Sequence, residues 1–268
     1  MLVDTHCHLN MMIKKEFDVP LPTDFKTKAE PFIHEAAKYN VTTIINVGTS
    51  VVESTNCILL AETFPSVWAT IGTHPNDLTE NWREDIRIYK TFLEGKKREK
   101  IIGIGEIGLD YHYPHFNKQR QYDAFRAHIE LALEFNLPIV VHTRDAHDET
   151  LRVIEEYKQD TIHGIIHCFS ETFDFAKEAI NLGFFLGIGG TLTYPKNTEL
   201  REIFTNTPLE SIVLETDAPF LPPQSIRGKQ NSPAQIAPIA DFLADLKQIS
   251  VEEVAKVTTQ NAFSLFNI

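Results

Sequence analysis

The strongest constraint on the fold of this chain is the position of six residues that can bind a metal ion. Each lies where a short apolar, strand-like run ends, and five separate runs contribute. In chain order they are His6, His8, Glu106, His142, His167 and Asp217. Only a closed ring of parallel strands brings the ends of five such runs around one point. The pattern therefore predicts a barrel with a metal site at the carboxyl ends of its strands.

Strand-like runs alternate with longer amphipathic segments along the whole chain. We expect strands at Leu2–His6, Thr42–Val47, Val67–Gly72, Ile101–Glu106, Pro138–His142, Gly164–His167, Phe184–Gly187 and Ser211–Thr216. Helical periodicity is clear over Lys118–Phe135, and another helix is expected near Ser170, with Glu171 in its first turn. The alternation is typical of an α/β protein with a TIM-like (β/α)8 barrel. The competing architecture, a doubly wound open sheet, would place its site in a single crevice between two strands.

The bulk properties narrow the possible functions. The chain has 268 residues, and we expect one domain over residues 1–268, because no linker or repeat interrupts it. A net charge of −12 disfavours a basic groove for non-specific duplex binding. We expect no membrane segment, since runs such as Val41–Val47 are too short to cross a bilayer, and no signal peptide. Three scattered cysteines indicate free thiols and a cytoplasmic location. No feature indicates an obligate protein partner.

The donor types indicate what the site binds. His6 and His8 are two residues apart, so a strand presents both on one face. Burying a carboxylate such as Glu106 at the end of an apolar strand costs several kcal/mol unless it is paired with an arginine or bound to a metal. Neutral imidazole suits Zn2+, Mn2+ or Ni2+ and is less typical of Mg2+. Four imidazoles and two carboxylates thus predict two divalent cations, of Mg, Mn, Zn or Ni, and a water between them.

Single members of the set have simpler interpretations. His142 or His167 alone would be read as a buried histidine, and Asp217 as a turn residue before a proline-rich loop. Their occurrence together, at the same height on the strands, favours metal binding. Cys168 is out of phase with His167 and is expected to pack. Glu215 lies one layer below Asp217 and is expected to support the site without binding the metal directly.

Several motifs occur in a fixed order along the chain. They are Asp4-Thr5-His6-Cys7-His8-Leu9, Gly105-Glu106-Ile107-Gly108-Leu109-Asp110-Tyr111, His142-Thr143-Arg144-Asp145-Ala146, His167-Cys168-Phe169-Ser170 and Leu214-Glu215-Thr216-Asp217-Ala218-Pro219. Two patterns near the carboxyl terminus follow, Arg227-Gly228-Lys229-x-Asn231-x-Pro233 and Asn261-Ala262-x-x-Leu265-Phe266. From Val3 to Phe266 the sequence resembles the TatD family of metal-dependent hydrolases, within the amidohydrolase superfamily.

The resemblance implies a TIM-like barrel with a two-metal centre. In the family's arrangement His6, His8 and Asp217 hold one cation, His142 and His167 hold the other, and Glu106 bridges them. We expect Glu106 and Asp217 to be the catalytic carboxylates, because Glu106 can bridge two cations and Asp217 can accept a proton from the water between them. Members are usually described as deoxyribonucleases, some of them exonucleases acting from the 3′ end. The resemblance therefore implies a nucleic-acid substrate, with single-stranded or frayed DNA ends as the expected form.

Further residues are candidates for substrate binding. They are Arg144, His74, Lys196, Arg227 and Lys229. Cationic side chains bind phosphate, and the loops after the last two strands of such barrels often form phosphate sites. An aromatic cluster between Tyr111 and Phe116 can stack a nucleobase or pack on itself. The sequence departs from the family pattern at two places: Asn76 stands where a second histidine is usual, and Glu171 where glycine is usual.

Two other functions stay open at the level of sequence. The same metal centre can attack a carbonyl, so an ester or amide hydrolase is an alternative, such as an aminoacyl-tRNA deacylase or a small amidohydrolase. The other alternative is a scaffold barrel without turnover. All six candidate ligands are present, which argues against the scaffold, because inward-facing polar residues without a ligand destabilise a barrel.

Overall fold

Eight parallel strands form one sheet in the order of the sequence. The computed structural model describes residues 1–14 and 16–268, with the backbone alone at residue 97. The strands are Leu2–Cys7 (β1), Val41–Val47 (β2), Val67–Ile71 (β3), Ile101–Asp110 (β4), Ile139–Arg144 (β5), Gly164–Ile166 (β6), Phe184–Ile188 (β7) and Ile212–Leu214 (β8). All seven neighbouring pairs run parallel. Each of the eight predicted strands is confirmed, with shifted ends.

Helices follow the strands and cover the outside of the sheet. They are Leu9–Met12 (α1), Phe25–Lys38 (α2), Val51–Thr63 (α3), Trp82–Glu94 (α4), Lys118–Phe135 (α5), His147–Glu156 (α6), Phe173–Asn181 (α7), Thr198–Asn206 (α8), Ile236–Lys247 (α9) and Val251–Phe266 (α10). Short 3-10 helices occupy Lys96–Lys100, Gly190–Thr193, Leu209–Ser211, Gln224–Ile226 and Pro233–Gln235. Among residues 1–14 and 16–268, no helix combines the length and the apolar character that a membrane span requires.

Hydrogen bonds that join the end of β1 to β8 and to the turn after β8 close the ring. The Asp217 amide donates to the His6 carbonyl at 2.9 Å, and the His8 amide donates to the Ala218 carbonyl at 2.7 Å. The Thr5 hydroxyl donates to the Leu214 carbonyl at 3.0 Å. A doubly wound sheet has two free edges and makes no such contacts, so the predicted TIM-like barrel is confirmed.

The end of β8 lies earlier than predicted because a buried side chain replaces the ladder. Ser211 belongs to the preceding 3-10 helix, and regular pairing stops after Leu214. The Asp4 carboxylate accepts from the Thr216 amide at 2.9 Å and from the Thr216 hydroxyl at 2.6 Å. Asp217 therefore lies three residues beyond the strand, in a turn where its own φ is 55°.

Bulges in two strands position candidate ligands. Between Ile104 and Ile107, β4 advances three residues while β5 advances two, so one extra residue is inserted next to Glu106. β4 then continues to Asp110, which corrects the expectation that Glu106 ends the strand. β1 carries the same irregularity between Asp4 and Cys7, around His6. Such bulges redirect a side chain beside an active site.

The start of α7 also differs from the prediction. The helix begins at Phe173, because the Thr172 hydroxyl accepts from the Phe175 amide and caps it. Glu171 is therefore outside the first turn, and the expectation for this residue was wrong. By contrast, α5 spans Lys118–Phe135 as its periodicity predicts.

The barrel interior is filled at the amino ends of the strands and open at the carboxyl ends. Inward side chains from six strands pack with the end of α10: Val3, Ile45, Val47, Ile102, Val140, Ile165, Val213, Ala262, Leu265 and Phe266. This layer excludes water from below, so the polar residues above it are reached only from the carboxyl end. A larger apolar cluster joins the outer faces of the strands to the helices.

Gly105 provides a test of this packing. A Cβ built there would lie 2.5 Å from the Val140 Cβ and 2.8 Å from its carbonyl oxygen. We expect Gly105→Ala to lower the free energy of unfolding by about 1–3 kcal/mol, through overpacking between β4 and β5. Denaturant unfolding measures it, with Gly95→Ala as the control, whose closest approach is 3.1 Å. Equal stability of the two variants would contradict the close packing at Gly105.

Candidate metal centre

Five imidazoles surround the carboxylate of Glu106. The ring nitrogens of His6 and His8 lie 3.4 and 3.7 Å from Oε2. Three further ring nitrogens face Oε1: His142 Nδ1 at 2.9 Å, His167 Nε2 at 3.1 Å and His74 Nε2 at 3.6 Å. The carboxylate is buried. Its two oxygens thus face two different sets of nitrogen donors.

The first set comes from β1 and the turn after β8. His6 Nε2 and His8 Nε2 are 3.2 Å apart, and each lies within 3.7 Å of Asp217 Oδ1. His8 follows the end of β1, so the prediction that it lies on the strand is wrong by one residue, although both rings still converge. The Val47 carbonyl lies 3.0 Å from His8 Nδ1 and accepts its proton, which leaves Nε2 free as a donor atom.

The second set comes from β5 and the turn after β6. His142 approaches Glu106 through Nδ1, and His167 approaches it through Nε2. The His167 ring also stacks on the His6 ring, with centroids 3.9 Å apart, so the two sets are in direct contact. Each set of three donors, one with His6 and His8 and one with His142 and His167, lies within 4.8 Å and includes Glu106.

Asp110 fixes the orientation of His142. His142 Nε2 lies 3.1 Å from Asp110 Oδ2, which also accepts from the Asn76 side-chain amide at 2.8 Å. Asp110 Oδ1 accepts from the His112 backbone amide at 2.9 Å. Burial raises the pKa of Asp110, but these hydrogen bonds outweigh it and lower the pKa to about 2. A charged acceptor therefore holds the proton of His142 on Nε2 and leaves Nδ1 free to bind a metal.

Glu215 lies beneath the stacked histidines. One of its oxygens accepts from the Cys168 amide at 2.6 Å and lies 3.5 Å from His167 Nδ1. Glu215 Oε2, His6 Nδ1 and His167 Nδ1 are buried and make no hydrogen bond within the described residues. Buried polar atoms without a partner are rare in folded proteins, so their occurrence beneath this site supports the binding of a ligand there.

Electrostatics favour a charged carboxylate at the centre. Burial works to raise the pKa of Glu106, but the charge of His167 and the hydrogen bonds from His142 and His167 outweigh it and hold the pKa well below its usual range. Burial also opposes the charge of Asp217, yet the hydrogen bond from His8 and the neighbouring His6 keep its pKa lowered. Both carboxylates are therefore anionic at neutral pH, which is the state that binds a divalent cation.

His74 differs from the other imidazoles. Its Nδ1 accepts a hydrogen bond from the Asn76 backbone amide at 3.2 Å, so its proton resides on Nε2. Burial, together with the neighbouring His142, lowers the pKa of His74 to about 3, so the ring is neutral. A neutral ring with its N–H directed into the site is a hydrogen-bond donor, and it cannot bind a metal through that nitrogen.

A cleft of about 960 Å3 opens above this centre. Of the predicted substrate-binding residues, His74 and Arg144 line it. Lys196, Arg227 and Lys229 do not belong to its lining; the Arg227 guanidinium lies over the Tyr194 ring at 4.4 Å. Cys168 lines the cleft beside His167, although it was expected only to pack.

Asp110 and Arg120 were not predicted as site residues from the sequence, and Asn76 was noted only as a departure from the family pattern. Asn76 and Asp110 orient His74 and His142, and Arg120 lines the cleft from the first turn of α5. For Asp110 a signal was present, because Glu106, Gly108 and Asp110 alternate along one strand. The other departure, Glu171, lies beside His147, with Oε2 at 3.2 Å from Nδ1.

The donor set fits divalent cations. Imidazole nitrogens and carboxylate oxygens that converge within 4.8 Å, on a buried anionic glutamate, form a chelating site that an apolar core would not tolerate without a ligand. At the carboxyl end of a barrel, beneath an open cleft, such a site can activate water for hydrolysis. The fold and the site together define a metal-dependent hydrolase.

Comparison with known proteins gives the same class. The family model described as TatD related DNase matches residues 3–267. The chain is 36% identical over 268 residues to the "uncharacterized metal-dependent hydrolase YabD" of Bacillus subtilis, and covers 100% of both chains. It is 32% identical over 252 residues to the "3'-5' ssDNA/RNA exonuclease TatD" of Pantoea vagans, with 92% of this chain and 96% of the relative covered.

A solved structure agrees with the sequence relatives. The crystal structure of YJJV, a TatD homologue from Escherichia coli K12, matches with a TM-score of 0.88 and 29% identity, covering 100% of this chain and 98% of that one. The chain belongs to the TatD family of metal-dependent hydrolases, as its motifs predicted.

Asp110 provides the test of this arrangement. We expect Asp110→Asn to lower the affinity for Mn2+ about 10–100-fold, because it removes the charged acceptor behind His142. Calorimetric titration of chelator-stripped protein measures the loss. Asn76→Ala is the control, since it removes one donor to Asp110 and keeps the acceptor. An unchanged affinity in Asp110→Asn, or an equal loss in both variants, would contradict the orienting role.

Proposed function

We propose that this protein is a nuclease that hydrolyses a phosphodiester bond at the end of single-stranded DNA, using two divalent cations. The observation that carries the proposal is the Glu106 carboxylate, whose two oxygens face two separate sets of histidines at the floor of the cleft. Two arginines in the described lining of that cleft, Arg120 and Arg144, suit a phosphate backbone. The name of the Pantoea relative supports the same substrate class.

The residues that would hold the cations are those of the two sets. His6, His8 and Asp217 would hold one, His142 and His167 the other, and Glu106 would contact both. When bound, the cations make water more acidic and stabilise negative charge on the reacting phosphate. Four imidazoles favour Zn2+, Mn2+ or Ni2+ over Mg2+, although the carboxylates can accept all of them.

Three side chains around the metal centre have roles in proton transfer and phosphate binding. Asp217 borders the cleft and is anionic, so it accepts the proton of the attacking water. His74 presents its Nε2 proton to a non-bridging phosphate oxygen, where negative charge develops. Arg144 binds the same or the adjacent phosphate, because guanidinium matches two phosphate oxygens at once.

The bonds change in a single displacement. The water oxygen bonds to phosphorus while the bond from phosphorus to the leaving sugar oxygen breaks, and the leaving oxygen takes up a proton. A nucleotide monophosphate and a shortened strand result. Lys196, Arg227 and Lys229 stay predictions for contacts further along the strand, outside the lining of the cleft.

The cellular setting stays a proposal as well. Cys7, Cys57 and Cys168 are free thiols, and the first two are buried. Free cysteines are typical of a reducing compartment, which supports the predicted cytoplasmic location. The extent of a single domain over residues 1–268 likewise stays a prediction.

An end-labelled single-stranded oligonucleotide tests the function. We expect chelator-stripped protein to release mononucleotides only after Mn2+, Zn2+ or Mg2+ is added. Asp217→Asn should reduce the rate at least about 100-fold, because it removes a proton acceptor and a metal ligand together. Asp241→Asn, an exposed change in α9, is the control and should keep full activity.

Two results would contradict the proposed function or the role of Asp217. Protein that binds metal but leaves the oligonucleotide intact would contradict the nuclease and direct attention to aminoacyl or lactone esters. Cleavage that survives in Asp217→Asn, with the metal still required, would contradict the role given to Asp217.

A further inference from the structure

Exposed aromatic rings gather at the rim of the cleft. Phe17, Tyr113, Phe116 and Phe220 all line it, with between 37% and 52% of each residue exposed. An exposed ring loses the stabilisation that burial would give, so several at one cleft indicate a ligand that covers them. Flat rings beside a proposed phosphodiester site suit nucleobases, because every base has a face that can stack.

The barrel places these rings on two opposite sides. Tyr113 follows β4, whereas Phe220 follows β8, and strands four positions apart face each other across a ring of eight. Phe17 follows β1, next to β8, and therefore lies on the side of Phe220. Phe17 and Phe220 form what we term the apolar wall; Tyr113, Arg120 and Arg144 form the cationic wall.

The two walls differ in charge. Both arginines in the described lining belong to the cationic wall, and the Arg144 guanidinium lies 5.7 Å from the centroid of the Tyr113 ring. The apolar wall contributes no lysine or arginine to that lining. A strand that continued along the apolar wall would leave its phosphates without a partner, whereas one lying on the cationic wall would find both charge and a stacking face.

The backbone of Phe220 is anchored beside the candidate metal ligands. Its ring centroid lies 6.0 Å from that of His8. Its backbone amide donates to the Asp217 carbonyl at 2.8 Å, and its carbonyl accepts from the Asn231 side chain at 2.7 Å. Asn231 is fully buried and also donates to the Thr216 carbonyl at 2.8 Å. The backbone that presents the exposed ring is therefore anchored.

Phe17 is fixed through its neighbour. The Asp18 amide donates to the buried Glu53 carboxylate at 2.6 Å, and the Asp18 side chain accepts from the Ser50 hydroxyl at 2.6 Å. Lys14 also binds Glu53, so the segment on both sides of Phe17 is tied to α3. Both rings of the apolar wall are thus presented by anchored backbone.

From this division we infer that the apolar wall binds the base of the single terminal nucleotide, while the rest of the strand crosses the cationic wall. The inference rests on the proposed nuclease function and specifies which way the strand lies across the cleft. The scissile phosphate lies over the metal centre, between the walls. The released nucleotide leaves from the side of Phe220, and the shortened strand stays on the side of Tyr113.

A thermodynamic cycle that combines a protein variant with a modified oligonucleotide tests the inference. Oligonucleotides carry either a normal terminal nucleotide or a terminal tetrahydrofuran residue that lacks the base. We expect Phe220→Ala to lower kcat/KM at least about fivefold on the normal end, because one base loses its stacking partner. On the baseless end the wild type should already be slow, and the variant should add little. Phe220→Leu, which keeps an apolar side chain, should lie between them.

A second variant tests the role of the cationic wall. Tyr113→Ala should slow cleavage when the second or third base is present and have no effect when that base is removed. Tyr39→Ala is the matched control: its side chain is 52% exposed, like that of Tyr113, but it lies at the opposite end of the barrel. The inference would be overturned if Phe220→Ala slowed cleavage of the normal and the baseless oligonucleotide equally, or slowed neither.

Binding separates this inference from the proposed function. A terminal 2-aminopurine, in an oligonucleotide with a non-hydrolysable phosphorothioate linkage, should lose fluorescence on binding wild-type protein and recover it with Phe220→Ala. Wild-type protein that cleaves nothing would contradict the nuclease, and this signal would then decide the inference alone. Equal quenching by wild type and variant would overturn it.

Discussion

The buried negative charge of Glu106 is the interaction on which the rest of this site depends. A carboxylate inside an apolar barrel is unfavourable unless cationic or hydrogen-bonding groups compensate for the lost water. Five imidazoles within 3.7 Å supply that compensation in the protein, and divalent cations would supply it more strongly. The bulge in β4, the closure of β8 on β1 and the acceptors behind the rings all serve to bring these nitrogens to one carboxylate.

The acceptors behind the histidines are not equivalent. A charged carboxylate, Asp110, stands behind His142, whereas a carbonyl, that of Val47, stands behind His8. A carboxylate makes an imidazole more basic than a carbonyl does. The set with His142 and His167 therefore has the more strongly polarised imidazole. The set with His6 and His8 has the negative charge of Asp217 in addition.

The fold and the six central residues could be predicted because both follow from local pattern. Strand periodicity predicts that His142 and His167 approach one point, although β5 continues to Arg144 and His167 lies one residue after β6. The extra residue beside Glu106 could not be predicted, because a bulge depends on the register of the partner strand. Asp110 was missed because the strand was expected to end at Glu106, whereas β4 continues to Asp110. The paths of the loops that carry Lys196 and Arg227 depend on long-range packing, which periodicity does not encode.

We propose that Glu106 joins two cations, and magnetic coupling between the bound ions measures this directly. Chelator-stripped protein titrated with Mn2+ should bind two equivalents and give the electron paramagnetic resonance spectrum of an exchange-coupled pair. Glu106→Gln should abolish the coupling, because the shared carboxylate is lost. One equivalent of Mn2+, or two that give uncoupled spectra in the wild-type protein, would contradict the account.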